Sequence, residues 1–127
     1  MLKKFLPLLS LPLLLLAGCN TPFTSTNLTP LQQSRTANNL YTLEVAVSSH
    51  QQTLVWPTIK AQVAVGHEFY PMRPTHLMTN RWEATVPIAS GTNSVHYRYI
   101  FDFQRNAFGG AKADTVVSPE YTLRIAE

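Results

Sequence analysis

Alternation of apolar and polar residues, which begins at Leu40, is the feature that most constrains the fold of this chain. Five segments alternate in this way: 41–47, 59–65, 82–88, 95–103 and 121–125. A period of two residues is that of a β-strand with one buried face. No convincing helical stripe follows residue 39, so the pattern predicts an all-β domain.

Turn-forming residues separate these segments and set the number of strands. Proline or glycine marks most of the breaks, as at Pro57, Pro74, Gly91 and Pro119. Shorter candidate strands are Leu54–Val55, Leu77–Met78 and Val116–Val117. Strands with one polar and one apolar face pack as two antiparallel sheets. About seven short strands predict an immunoglobulin-like β-sandwich over residues 40–127.

The first 19 residues have the order of a secretory signal peptide. Lys3 and Lys4 precede an apolar run, and the run ends in Leu16-Ala17-Gly18-Cys19. This ending resembles the lipobox of bacterial lipoproteins. The resemblance implies that residues 1–18 are removed and that Cys19 is acylated, so that membrane lipid is a partner of the chain. Asn20 then implies an outer-membrane lipoprotein of the cell envelope. The alternative is an ordinary signal peptide that leaves a free exported thiol.

Removal of residues 1–18 changes the charge balance that bears on function. Lys3 and Lys4 are removed with this segment, so the remaining chain has eight basic and seven acidic residues. No basic run interleaved with aromatic residues is left, and nucleic acid is therefore not an expected partner. Cys19 is the single cysteine of the chain, so a domain with Cys19 acylated must fold without a disulfide.

Residues 19–39 are interpreted as the lipidated cysteine and a flexible linker. The segment is rich in Thr, Asn, Gln and Pro and shows no alternation. As a flexible coil, such a segment would reach roughly 25 Å. The sequence therefore predicts a spacer that lifts the domain away from the lipid headgroups.

Residues 70–103 resemble the glycogen- and starch-binding modules of branching enzymes and of the AMP-activated kinase β subunit. The resemblance is carried by Pro71-Met72, Trp82, Val86-x-Ile88, Gly91 and the strand at 97–102. It implies an early-set immunoglobulin-like fold and a carbohydrate-binding surface. The two tryptophans that stack on sugar in that family are missing here, and of its sugar-binding positions only the basic one in the 97–102 strand survives, as Arg98.

The remaining residues show no catalytic or metal-binding pattern. The four histidines, at 50, 67, 76 and 96, lack the spacing of metal ligands on one strand or helix. Ser49-His50 has no evident orienting acid, and no glycine loop could hold a phosphate. We therefore expect no enzyme, no metal and no cofactor.

Four residues are candidate contacts with a ligand or partner: Trp56, Tyr70, Arg98 and Phe108. Phe108 lies in the segment 104–114, which the sequence predicts as a long loop that docks on a partner or touches the membrane, or else folds back on the sandwich. The leading hypothesis is a lipid-anchored, non-enzymatic binding or scaffold module that docks through a sheet edge or an end loop. The alternative is a carbohydrate- or peptidoglycan-binding module. The residues do not separate these from an inhibitor or immunity-type lipoprotein.

Overall fold

The computed structural model describes residues 23–127, and these residues form ten strands. The strands are β1 (Thr24–Asn27), β2 (Gln32–Ser34), β3 (Leu40–Ser48), β4 (Leu54–Val65), β5 (Glu68–Pro71), β6 (Arg73–Pro74), β7 (Arg81–Pro87), β8 (Ser94–Ala107), β9 (Gly110–Val117) and β10 (Tyr121–Ala126). Residues 23–127 contain no helix long and apolar enough to cross a membrane. The predicted signal peptide and Cys19 lie outside the described residues.

The strands form two sheets with the arrangement of an immunoglobulin-like sandwich. Sheet A has the order β1-β3-β7-β6, and sheet B has the order β2-β10-β8-β4-β5. β10 and β9 both pair with the same edge of β8. β10 pairs with residues 94–97 of β8, and β9 pairs with residues 100–107. All pairs are antiparallel except β2 with β10. The predicted all-β, immunoglobulin-like fold is confirmed.

The alternating residues of both sheets meet in one core. Leu43 and Val45 of sheet A and Tyr99 and Phe101 of sheet B are completely buried. Trp82 of β7 crosses between the sheets and meets the ring of Phe101 edge-on, with 6.4 Å between the ring centres. Large aromatic side chains contribute most to such a core, because each removes a large apolar area from water.

Residues 23–39 are part of the sandwich, so the predicted flexible linker is wrong for them. Phe23 is buried, and its ring stacks on Phe103 at 4.7 Å between the ring centres. β1 then pairs with β3, and β2 pairs with β10. The sequence gives no alternation here because these short edge strands are held mainly by backbone hydrogen bonds and polar side chains.

A buried polar network fixes this segment to both sheets. The Tyr99 hydroxyl donates to Asn27 Oδ1 at 2.6 Å, and Asn27 Nδ2 donates to the Tyr97 hydroxyl at 2.8 Å. Thr29 is buried, and its hydroxyl accepts from the Glu44 amide at 2.8 Å. Burial raises the pKa of both tyrosine hydroxyls, because the ionised form would lose its hydration.

Three of the shorter predictions change in the structure. Leu54–Val55 is the start of β4, which continues to residue 65 through an irregularity at Pro57, where a proline is tolerated. Leu77–Met78 is not a strand but part of the turn between β6 and β7, and Leu77 has a φ of +64°. The segment 104–114 is not a loop, because β8 and β9 pair along it as a continuous hairpin.

Candidate functional site

The outer face of sheet B exposes large apolar side chains. Phe69 of β5 is 56% exposed and Val117 of β9 is 54% exposed. The strand register places Val117 opposite Ile100, and Phe69 opposite Ala64. Because neighbouring strands lie about 4.8 Å apart, these side chains spread over roughly 14 Å across β9, β8, β4 and β5. We define the apolar patch as the exposed Phe69 and Val117, the partly exposed Ile100 and Arg98, and the buried Ala64 (2% exposed).

Arg98 lies within the apolar patch on β8. It is opposite Ala64 in the register and is partly exposed. Among residues 23–127, no acidic side chain lies within ion-pair distance of its guanidinium. The patch therefore presents one cation whose charge is available to a ligand. Along the same face of β8, the apolar Ile100 lies two positions to one side of Arg98 and the exposed His96 lies two positions to the other.

The outer face of sheet A is more polar. Its exposed positions on β3 and β7 include Thr42 and Thr85, together with Leu40, which is 41% exposed. Arg73 forms an ion pair with Glu83 at 3.3 Å on this face. A mainly polar face is what a surface in contact with water is expected to show. Phe69 and Val117 are more exposed than Leu40, so we take the outer face of sheet B as the candidate docking surface.

One edge of the apolar patch is an open strand edge. β9 is eight residues long and pairs with β8 alone within the described part of the chain. Its side chains are almost all exposed, and they include Lys112 and Asp114. An unpaired edge can accept a strand from another protein, although charges on it discourage uncontrolled pairing.

Phe108 lies apart from the patch, at the tip of the β8–β9 hairpin. It is fully exposed, at 107%, so it does not fold back on the sandwich. Gly109 and Gly110 follow with φ of +96° and +128°, a backbone conformation that favours glycine at this tight turn. The hairpin tip is at the end of the sandwich where Phe23 enters, which we call the Phe23 end.

The structure does not bring the four predicted contact residues together. Trp56 lies near the start of β4, packs against the core and lines an open depression of about 560 Å³ with Val47 and Asn80. Tyr70 is partly buried against the core. Its neighbour Phe69 faces outward instead, because Tyr70 pairs with the core residue Val63. Only Arg98 belongs to the apolar patch.

Phe69 and Val117 are the contact residues that the sequence interpretation missed. Each is the outward member of an apolar pair, Phe69-Tyr70 and Val116-Val117, in which either residue could have faced the core. The registers of β5 and β9 decide between them. A search for adjacent apolar residues at strand positions would have marked both pairs, without choosing the exposed member.

The geometry of the described residues is suited to binding. No group of three His, Cys, Asp or Glu residues converges in residues 23–127 in a way that could hold a metal ion. The His96 Nδ1 atom lies 2.9 Å from the Thr122 hydroxyl beside an open polar depression on sheet B. In the network around Tyr99, the contact between the Thr29 and Tyr99 hydroxyls is buried between the sheets.

No model of a known protein family matches the chain, and a search of curated proteins finds no match.

Proposed function

We propose that this protein is a lipid-anchored, non-enzymatic binding module of the cell envelope that docks a partner protein on the apolar patch of sheet B. Acylated Cys19 holds it at the outer membrane. The observation that carries the docking is Arg98, a partly exposed cation with no acidic partner in residues 23–127, on the same face as exposed Phe69 and Val117.

The composition of the patch indicates the chemistry of the partner. Exposed Phe69 and Val117 favour an apolar surface on the other side, since each gains by leaving water. Arg98 favours a carboxylate, which it can bind through two parallel hydrogen bonds. Truncation of such an arginine in an interface typically costs about 2 kcal/mol or more of binding energy. The expected partner surface is therefore apolar with one central acidic side chain.

The anchor is supported by the lipobox at residues 16–19. Two or more acyl chains hold a protein firmly to a bilayer, because each buried CH₂ contributes about 0.8 kcal/mol. Mass spectrometry of the processed protein should find acyl chains on Cys19. The variant Cys19→Ser should lose the anchor and leave the envelope fraction. An unmodified Cys19, or a serine variant that still sediments with envelopes, would refute the anchor.

Docking on the apolar patch is tested by site-specific photo-cross-linking in cells. A photoreactive residue at Val117 should trap one dominant envelope protein. The same residue at Thr85, exposed on the opposite sheet, is the matched control and should trap none. Arg98→Glu should abolish the Val117 product without changing the amount of protein. Equal products from Val117 and Thr85, or a product that survives Arg98→Glu, would contradict docking at this site.

A second candidate, a carbohydrate- or peptidoglycan-binding module, has one observation in its favour. The exposed Phe69 and the partly exposed Arg98 flank the buried Ala64 in the register, so an aromatic ring and a cation lie on one face. Aromatic side chains supply a flat apolar surface and cations supply hydrogen bonds, and both suit sugars. Immobilised glucan or murein sacculi should then retain the wild-type protein and release Phe69→Ala. Passage of the wild type through both matrices would eliminate this candidate.

A further inference from the structure

We infer that the Phe23 end of the sandwich lies against the lipid bilayer, with Phe108 and Leu77 in contact with the membrane. This inference rests on the proposed acylation of Cys19 and adds the orientation of the domain and a second lipid-binding site. It rests on three features of the chain: the length between Cys19 and Phe23, the overhang of the β8–β9 hairpin, and the side chains exposed at this end.

Only four residue steps separate Cys19 from Phe23, which is the first residue that the structure describes and is buried. Whatever its conformation, a segment of this length spans at most about 14 Å. The extended spacer of residues 19–39 is excluded, since the chain is part of the sandwich from Phe23 onward. An acylated Cys19 therefore holds the body of the domain close to the lipid headgroups.

The β8–β9 hairpin extends as far as this tether can reach. Phe23 stacks on Phe103, and Phe108 follows Phe103 by five residues. At about 3.4 Å per residue, the tip lies roughly 17 Å beyond the ring of Phe23. The chain before Thr24 points toward the same end, because Thr24 pairs with Ser48 at the end of β3. The segment from Cys19 to Phe23 spans at most about 14 Å, which is less than the distance from Phe23 to the hairpin tip. When the Phe23 end faces the bilayer, the tip therefore reaches the membrane surface.

Two large apolar side chains are exposed at the Phe23 end, as is typical of a surface that contacts a membrane. Phe108 is 107% exposed, and Leu77, in the turn between β6 and β7, is 88% exposed. The turn lies at this end because the Val47 amide donates to the Asn80 carbonyl at 2.9 Å. Two large apolar side chains held out in water on separate turns gain by entering the boundary between headgroups and acyl chains.

The test uses the full processed protein in vesicles of phosphatidylethanolamine and phosphatidylglycerol. Because Cys19 is the single cysteine and is acylated, a cysteine introduced by Phe108→Cys or Leu77→Cys is the sole thiol available for an environment-sensitive fluorophore. We expect a blue shift and loss of emission with acyl-chain quenchers at both positions. Thr85→Cys is the matched control and should keep the emission of a label in water.

A second set of variants separates lipid contact from a change of fold. Phe108→Ser should reduce quenching of the label at position 77, whereas Phe69→Ser, at an exposed phenylalanine on the face of sheet B, should leave it unchanged. Protein that floats with the vesicles while both labels stay in water would overturn the membrane contact and leave the anchor standing. Protein that does not float would overturn the anchor and the contact together.

Discussion

The substitution Phe23→Ala tests whether Phe23 is part of the core of the domain. Phe23 is 6% exposed and contacts two rings, Phe103 at 4.7 Å and Phe101 at 5.3 Å. Buried phenylalanines replaced by alanine typically lose about 3–5 kcal/mol. Because Phe23 precedes an edge strand that can partly close the gap, we expect about 3 kcal/mol. For a domain of this size, that loss lowers the melting temperature by more than about 10 °C.

Urea denaturation of the detergent-solubilised mature protein measures the free energy of unfolding directly. Phe69→Ala is the matched control, since it removes the same side chain from an exposed position and should cost about 1 kcal/mol or less. If Phe23 lay in a flexible spacer, its replacement by alanine would leave the free energy of unfolding almost unchanged. A loss below about 0.5 kcal/mol for Phe23→Ala would therefore refute the burial of Phe23 and, with it, the short tether to Cys19.

Two further predictions concern the buried polar network. Thr29→Val should lower the free energy of unfolding by about 1–3 kcal/mol, because the Glu44 amide loses its acceptor; Thr85→Val is the control, and equal losses would contradict the role of the network. The free energy of unfolding should be constant up to about pH 10, the ordinary pKa of tyrosine, and should fall at higher pH. Above that pH, tyrosines in the unfolded chain lose their protons, whereas Tyr99 and Tyr97 keep theirs in the folded protein because burial raises their pKa. Urea midpoints between pH 8 and pH 11 measure this, and Tyr99→Phe should fall less steeply than the wild type; identical slopes would contradict the assignment.

The core of the fold could be predicted from the sequence, whereas its edges could not. β3, β7, β8 and β10 alternate because each buries one face between the sheets, and burial determines which residues such a strand can carry. β1, β2 and most of β9 bury little apolar surface, so no period appears in them. Their positions depend on pairing with strands distant in sequence, as Thr24 pairs with Ser48. Local composition at residues 23–39 is therefore indistinguishable from that of a linker.

The candidate site shows the same limit at the level of single residues. Arg98 is predicted from the sequence through the resemblance to glycogen-binding modules, and the alternation of its strand, with Tyr97 and Tyr99 facing inward, also predicts that it faces outward. Tyr70 was chosen and Phe69 was not, because β5 is too short for its own alternation to reveal which residue faces the core. Only the pairing of Phe69 with Ala64 and of Tyr70 with Val63 decides this.

The two proposed surfaces are compatible because they lie in different directions on one rigid body. β8 runs toward the Phe23 end and β9 returns from it, so a bilayer at that end leaves the outer face of sheet B roughly perpendicular to the membrane and open to a partner. A tether of at most about 14 Å also restricts tumbling, and Phe108 and Leu77 would restrict it further. A partner anchored in the same membrane would then meet the apolar patch already oriented, and less orientational entropy would be lost on binding. Loss of Phe108 should therefore weaken the cross-link at Val117 although Phe108 lies outside the patch.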